Sequence, residues 1–168
     1  MKRLLLILSM LILVQGVSLA QSSKETEFWT MHPYKYDVRL GFGTEEFYGD
    51  NYLLYEFNDF AVAFSGEFSC AFSRWLTFST ALTFYYDTAD VACSVVPRVK
   101  LYWLNLEDWF RVYSAAGVGV CAGMKMCVPE INCVPMGSEL VMDGFFLFSE
   151  INVGLNGAGL TFGAGLYF

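Results

Sequence analysis

The feature that most limits the fold of this chain is a period-two alternation of residue types that recurs from residue 36 onwards. In residues 60 to 72, one set of alternate positions carries bulky apolar side chains such as Phe64 and Phe68. The positions between them carry small or polar residues such as Ser65 and Glu67. Because successive side chains of a strand point to opposite faces, the pattern predicts β-strands with two unlike faces.

Short segments without alternation divide the chain into about eight predicted strands. Tight turns are expected near 73–75, 105–108 and 142–144, and the other connections near 45–59, 87–91, 121–132 and 156–158. Asn156-Gly157 is a favoured two-residue hairpin turn. Pro129, Pro135 and Gly137 interrupt residues 121 to 142, for which we predict a loop followed by the sixth strand. The last strand, Leu160 to Phe168, is expected to close against a first strand near residues 36 to 44.

The composition indicates which face of the strands meets which environment. Hydrophobic residues make up 55% of the chain, mean hydropathy is +0.43, and only 16% of residues are charged, whereas a soluble domain carries roughly a quarter. A soluble barrel turns its bulky apolar residues inward, but the second face here is made of Gly, Ala, Ser and Thr with scattered ions. Such a face suits a narrow lumen. We therefore predict an all-β, antiparallel, up-and-down transmembrane barrel of about eight strands with a lipid-facing exterior.

The N-terminus predicts export. Lys2 and Arg3 precede an apolar run at 4–14, and the segment ends on Ser18-Leu19-Ala20, which fits cleavage between Ala20 and Gln21. A retained N-terminal anchor is the alternative. We expect a signal peptide at 1–20, a periplasmic lead at 21–34 and an outer-membrane barrel at 35–168. A periplasmic N-terminus makes the tight turns near 73–75, 105–108 and 142–144 periplasmic and the other connections the outer loops. Loss of two basic residues would leave a net charge of −9, which is unsuited to nucleic-acid binding.

Three segments carry a resemblance to a known group: VVPRVKLYWLN, WFRVYSAAGVGV and FFLFSEINVGLNGAGLTFGAGLYF. They resemble the small eight-stranded outer-membrane barrels of the OmpA/OmpX-like, porin-superfamily type. The resemblance implies a Gram-negative envelope, contact with outer-membrane lipid and lipopolysaccharide, and insertion by the barrel-assembly machinery. It also implies that this machinery reads the final strand, whose alternate positions are Leu160, Phe162, Ala164, Leu166 and Phe168. The sequence does not determine the oligomeric state; a monomer is expected.

Aromatic residues fall near the predicted strand ends, as an interfacial girdle requires. They are Tyr34, Tyr36, Trp75, Tyr86, Trp103, Trp109, Tyr167 and Phe168.

Charged residues on the predicted lumen face form the main candidate site. They are Asp37, Arg39, Glu67, Arg98, Lys100, Arg111 and Glu150. An eight-stranded barrel has an interior just wide enough for side chains, so we expect an ionic plug rather than a polar conduit. The predicted role is structural, or surface interaction through the outer loops, including envelope integrity and adhesion. A narrow channel for small solutes is the alternative, and a lipid-modifying enzyme is a distant one.

Three other features suggest little chemistry. His32, the only histidine, precedes the first strand at the expected periplasmic end, where it cannot serve a nucleophile near the outer leaflet, so we expect no enzyme and no cofactor. Cys121, Cys127 and Cys133 match no zinc spacing, which leaves a disulfide in the outer loop as one option. The first outer loop collects acidic residues that are either solvated or bridged by cations to a ligand: Glu45, Glu46, Asp50, Glu56 and Asp59.

Overall fold

The computed structural model describes residues 35–47, 60–86, 91–106, 109–123 and 127–168. These residues form eight strands in chain order. The strands are β1 (Tyr36–Phe47), β2 (Phe60–Ala71), β3 (Leu76–Tyr86), β4 (Val91–Leu106), β5 (Phe110–Gly123), β6 (Cys127–Met142), β7 (Phe145–Gly154) and β8 (Gly157–Tyr167). Among the described residues, no helix is long and apolar enough to cross a membrane.

The eight strands form one closed antiparallel barrel in which each strand pairs with its neighbours in the sequence. β8 closes against β1, from Asp37 opposite Tyr167 to Phe47 opposite Gly157, as predicted. Following the paired residues once around the barrel from Arg111 on β5 leads back to β5 at Cys121, ten residues further along the strand. The shear of the barrel is therefore ten residues. Shear and strand number together set the tilt of the strands, which in such barrels is about 35–45°.

The two faces are distributed as the alternation predicts. On β2 and β3, Phe64, Phe68 and Phe78 lie outside and are about half exposed, whereas Glu67 and Ser79 lie buried inside. The exterior is a continuous apolar surface, and the interior is small, polar and charged. A closed barrel can present such a surface to lipid because its backbone groups are paired between strands.

Three serine hydroxyls on the exterior of β5, β6 and β7 have hydrogen-bond partners. Ser138 on β6 and Ser149 on β7 lie 2.9 Å apart, Oγ to Oγ, across the outer face. Ser114 donates a hydrogen bond of 2.7 Å to the carbonyl oxygen of Pro135. Since an unsatisfied polar group is costly in hydrocarbon, these contacts keep the β5–β7 side compatible with lipid.

The predicted loop at 121–132 is wrong. β5 continues to Gly123 and β6 begins at Cys127, so the connection is only three residues long. Two prolines are accommodated within β6. Pro129 lies beyond Gly154, the last residue of β7 that pairs with β6, so it is at a sheet edge, and Pro135 falls where the β6–β7 register shifts. Proline, which has no backbone N–H, is tolerated at both kinds of position because neither needs that group for a hydrogen bond to a neighbouring strand.

The other connections lie close to their predicted places. The β6–β7 turn is Asp143-Gly144, whose φ angles of 33° and 79° suit the tight two-residue turns of hairpins. The β7–β8 turn is shifted from Asn156-Gly157 to Leu155-Asn156, because Gly157 already pairs with Phe47. The first outer connection begins at residue 48 rather than 45, since β1 extends to Phe47.

The predicted girdle is partly wrong. Tyr36, Tyr86, Trp103, Trp109 and Phe168 are exposed on the exterior, and Trp75 is partly exposed beside Arg74. Tyr167 instead points into the lumen, where its hydroxyl contacts Glu139 and Arg111. The reason is parity: Leu166 and Phe168 face outward, so the residue between them faces inward. Tyr34 lies outside the described residues.

Lumen aromatic rings lie against glycines on adjacent strands. A Cβ atom added at Gly137 would overlap the ring of Tyr113, and one at Gly165 would overlap the ring of Phe146. Phe148 occupies the corresponding place over Gly163. Small residues on β6 and β8 therefore make room for the large rings that fill this side of the lumen.

Replacing Gly137 by alanine is expected to destabilise the barrel by about 1–3 kcal/mol, the usual cost of overpacking. Tyr113 has no exposed surface and is held by hydrogen bonds, so its ring cannot move aside. Gly66→Ala is the matched control, because its new Cβ would meet only Leu40 Cδ2 at 3.7 Å. Urea unfolding from lipid vesicles measures both variants, and equal midpoints for the two would contradict this account of the packing.

Candidate functional site: an ionic network in the lumen

Arg39 on β1 is the centre of a buried group of charges in the lumen. Its Nε lies 3.1 Å from Asp37 Oδ1 and 3.3 Å from Glu67 Oε1, and its Nη2 lies 3.0 Å from Glu139 Oε1. The guanidinium also lies 4.8 Å from the ring centroid of Phe146. Only 2% of its side chain is exposed. Arg39 therefore links β1 to β2, β6 and β7 through the interior.

A second centre lies on β4 and meets the first at Glu67. Arg98 and Lys100 both form ion pairs with Glu67. Arg98 Nη1 also contacts Glu150 Oε2 at 3.3 Å, and Arg39 Nη1 lies 3.9 Å from Glu150 Oε1. Each of these carboxylates faces at least two cations, an arrangement that offsets the large cost of removing charges from water.

Six of the seven predicted lumen charges thus belong to one network, and the seventh lies nearby. Arg111 is buried on β5, and its Nη1 donates a 3.2 Å hydrogen bond to the hydroxyl of Tyr167. That hydroxyl in turn donates to Glu139. The charged residues that the alternation places on the lumen face therefore contact one another in a single layer of the barrel interior.

Glu139 is the network residue that the sequence analysis missed. It is fully buried on β6, where it receives hydrogen bonds from Arg39 and from the hydroxyls of Tyr102 and Tyr167. The register shift between Cys133 and Met136 reverses the parity of β6, so inward positions change from even to odd numbers. A strict period of two, counted from the start of β6, places Glu139 outside.

Tyr113 completes this layer from the β5 side. Its hydroxyl donates to Glu150 and accepts a 3.2 Å hydrogen bond from Arg39 Nη1. The Tyr102 ring lies 5.2 Å from that of Tyr113, centroid to centroid. Phe146, Phe148 and these tyrosines are buried beside the ion pairs, so rings as well as charges narrow the lumen at this layer.

Glu45 and Glu130 lie nearer the end of the lumen that carries the predicted outer loops. Glu45 was predicted in a loop, but it lies buried on β1, and its neighbour Glu46 points outward from the same strand. Glu130 on β6 accepts a 2.6 Å hydrogen bond from the amide of Asn156. Both carboxyl groups line a small cavity of about 30 Å³, together with Tyr85, Ser94 and other residues.

The cysteines do not form the loop disulfide that the sequence left as an option. All five thiols are free. Cys121 faces the lumen, whereas Cys127 and Cys133 are exposed on the other face of the wall. Cys127 and Cys133 are six residues apart on one strand, about 20 Å at the usual rise, well beyond the reach of a disulfide.

Several predicted features lie outside the described residues. They are the cleavage pair Ala20 and Gln21, the lone His32, and the loop acids Asp50, Glu56 and Asp59. Within the described ranges, no group of three or more His, Cys, Asp or Glu residues is arranged to hold a metal ion.

Solved structures share this architecture at low sequence identity. The N-terminal barrel domain of Pseudomonas aeruginosa OprF aligns with a TM-score of 0.60 and 11% identity, covering 79% of this chain and 97% of that one. Neisserial surface protein A (NspA) aligns with a TM-score of 0.62 and 12% identity over 79% and 97% of the two chains. Ail, the attachment invasion locus protein of Yersinia pestis, gives 0.56 and 10% over 80% and 99%.

No protein-family model matches the chain, and no curated protein matches it either. The likeness to the solved structures, at 10–12% identity, is therefore one of fold. The chain is an all-β, antiparallel, up-and-down barrel of the outer-membrane type, as its sequence predicted. Its apolar exterior agrees with the outer membrane as its location.

Proposed function

We propose that this protein is a non-enzymatic outer-membrane barrel with a structural or surface-interaction role, whose lumen is closed to ions. The observation that carries the proposal is the buried layer centred on Arg39 and Arg98. Charges of both signs lie within contact distance there, and the rings of Tyr113 and Phe146 are fully buried beside them. Ion passage would require breaking several buried ion pairs at once, which is strongly unfavourable.

With a closed lumen, interactions must take place on the outer surface. We assign this role to the strand ends and loops at the outer rim, where envelope integrity or adhesion would depend on contact with lipid, lipopolysaccharide or a neighbouring ligand. Glu45, Glu46 and Glu130 are the described charged residues near this rim, and none is basic. At these described positions, contact with phosphate groups would require a bridging cation.

Purified protein in planar lipid bilayers is expected to show no sustained single-channel conductance. The physical reason is the ion-paired layer, whose buried charges a hydrated ion would have to displace. An open porin recorded in the same bilayers is the positive control. Sustained, stepwise conductance that grows with the amount of added protein would contradict a closed lumen and favour the narrow-channel alternative.

A further inference from the structure

Two buried polar groups on the lumen wall between β3 and β4 lack a hydrogen-bond partner among the residues that the structure describes. They are the hydroxyl of Ser79 and the Nε of Arg98, and each residue is only 6% exposed. Buried polar groups in folded proteins are almost always hydrogen-bonded, to protein or to ordered water. The two groups therefore indicate an additional molecule at this place.

Ser79 and Arg98 are neighbours across the sheet. They are directly paired between β3 and β4, and both side chains point into the lumen. Side chains paired in this way have Cβ atoms about 4.5–5.5 Å apart, so one small molecule can contact both.

The groups around Ser79 and Arg98 are engaged elsewhere. The two terminal nitrogens of Arg98 are held by Glu67, Glu150 and Asn132, which fixes the plane of the guanidinium and the direction of its Nε–H. Ser69 is paired with Ser79 on the other side, but its Oγ lies 3.0 Å from both Asp37 Oδ1 and Glu67 Oε1, which share its one hydroxyl proton.

We propose that Ser79 and Arg98 hold an internal water molecule within the ionic layer. The bound molecule must accept a hydrogen bond from the Nε–H of Arg98 and form a second hydrogen bond with the hydroxyl of Ser79. An anion is opposed by the carboxylates of Glu67 and Glu150, and a cation by Arg98, so a neutral donor and acceptor fits best. Buried waters of this kind typically make about three hydrogen bonds.

The cavity above the site offers a route for this water. Arg98 also lines the cavity of about 30 Å³ near Glu45 and Glu130, whose other walls carry hydroxyl and amide groups. That volume exceeds the roughly 10–15 Å³ that a cavity needs to hold one water molecule. The inference goes beyond a closed lumen: the layer that excludes ions is hydrated at a defined position.

NMR of the folded protein in micelles tests the proposal by detecting contact between water and the Arg98 side chain. The wild type is expected to show a water cross-peak at Arg98 Nε–H, and Ser79→Ala is expected to lose it. Ser79→Thr keeps a hydroxyl and should keep the cross-peak, as should Ser65→Ala, a matched lumen serine on β2 that is not paired with Arg98.

Absence of the cross-peak in the wild type, or its survival in Ser79→Ala, would overturn the proposal. Chemical-shift maps establish first that each variant is folded, and Ser79→Thr tests the site even if the alanine variant folds poorly. Bilayer conductance is measured separately. Failure of the water site therefore leaves the closed lumen untouched, and failure of the closed lumen does not remove the water site.

Discussion

Replacing Arg39 by leucine is expected to lower the free energy of unfolding by about 3–5 kcal/mol, the usual cost of removing one partner from a buried ionic group. The substitution leaves Asp37 and Glu139 without their closest cation and deprives Glu67 of one of its three. It also removes the cation from the face of the Phe146 ring. Urea unfolding from lipid vesicles, followed by tryptophan fluorescence, measures the change.

Two further variants separate the network from the general effect of a substitution. Arg74→Leu removes an arginine at the β2–β3 turn, outside the lumen, and is expected to change stability by less than about 1 kcal/mol. Arg39→Leu combined with Glu139→Leu removes one charge of each sign and should recover part of the loss. Equal effects of Arg39→Leu and Arg74→Leu would contradict a central role for Arg39.

Replacing Phe168 by aspartate is expected to reduce insertion into the outer membrane of cells severely. We propose that the assembly machinery reads the final strand, and that Phe168 is part of this signal. Its backbone exchanges hydrogen bonds of 2.9 and 3.1 Å with Tyr36, and its ring stacks on the Tyr36 ring at 6.2 Å. Phe168 thus lies at the seam where β8 meets β1. The fraction of protein that shifts in a heat-modifiability gel measures assembly.

A matched control distinguishes recognition from a simple loss of stability. Phe72 is an exposed aromatic residue that follows β2, and Phe72→Asp introduces the same charge away from the final strand. A charge near the membrane interface costs only about 0–1 kcal/mol, so both variants should fold from urea into vesicles almost as the wild type does. Normal assembly of Phe168→Asp in cells, or equal defects in both variants, would count against the signal.

The strand pattern of this chain could be predicted because lipid and lumen require different side chains. On β2, a shift of one residue would move Phe64 and Phe68 into the lumen and Glu67 into lipid, so the register is strongly specified. The same alternation places six of the network charges on the lumen face. Closure of β8 on β1 followed from the barrel prediction, since a closed up-and-down barrel places the first and last strands side by side and an even number makes them antiparallel.

The errors came from places where backbone geometry overrides the period of two. The prolines of β6 led to the prediction of a loop. The sequence alone does not show that one of them lies at a sheet edge and the other at a register shift, where a strand accommodates proline. The same shift concealed Glu139 by reversing the inward positions. Tyr167 is different: its inward direction followed from the alternation of β8, and its aromatic character misled the girdle prediction.

The most direct test of the membrane-barrel account is fractionation of producing cells, followed by a gel of the outer-membrane fraction with and without boiling. The account predicts recovery in the outer membrane and a band that migrates differently before boiling, because a closed barrel resists unfolding by detergent. Recovery in the cytoplasm or the soluble periplasm, with no change in migration on boiling, would contradict it.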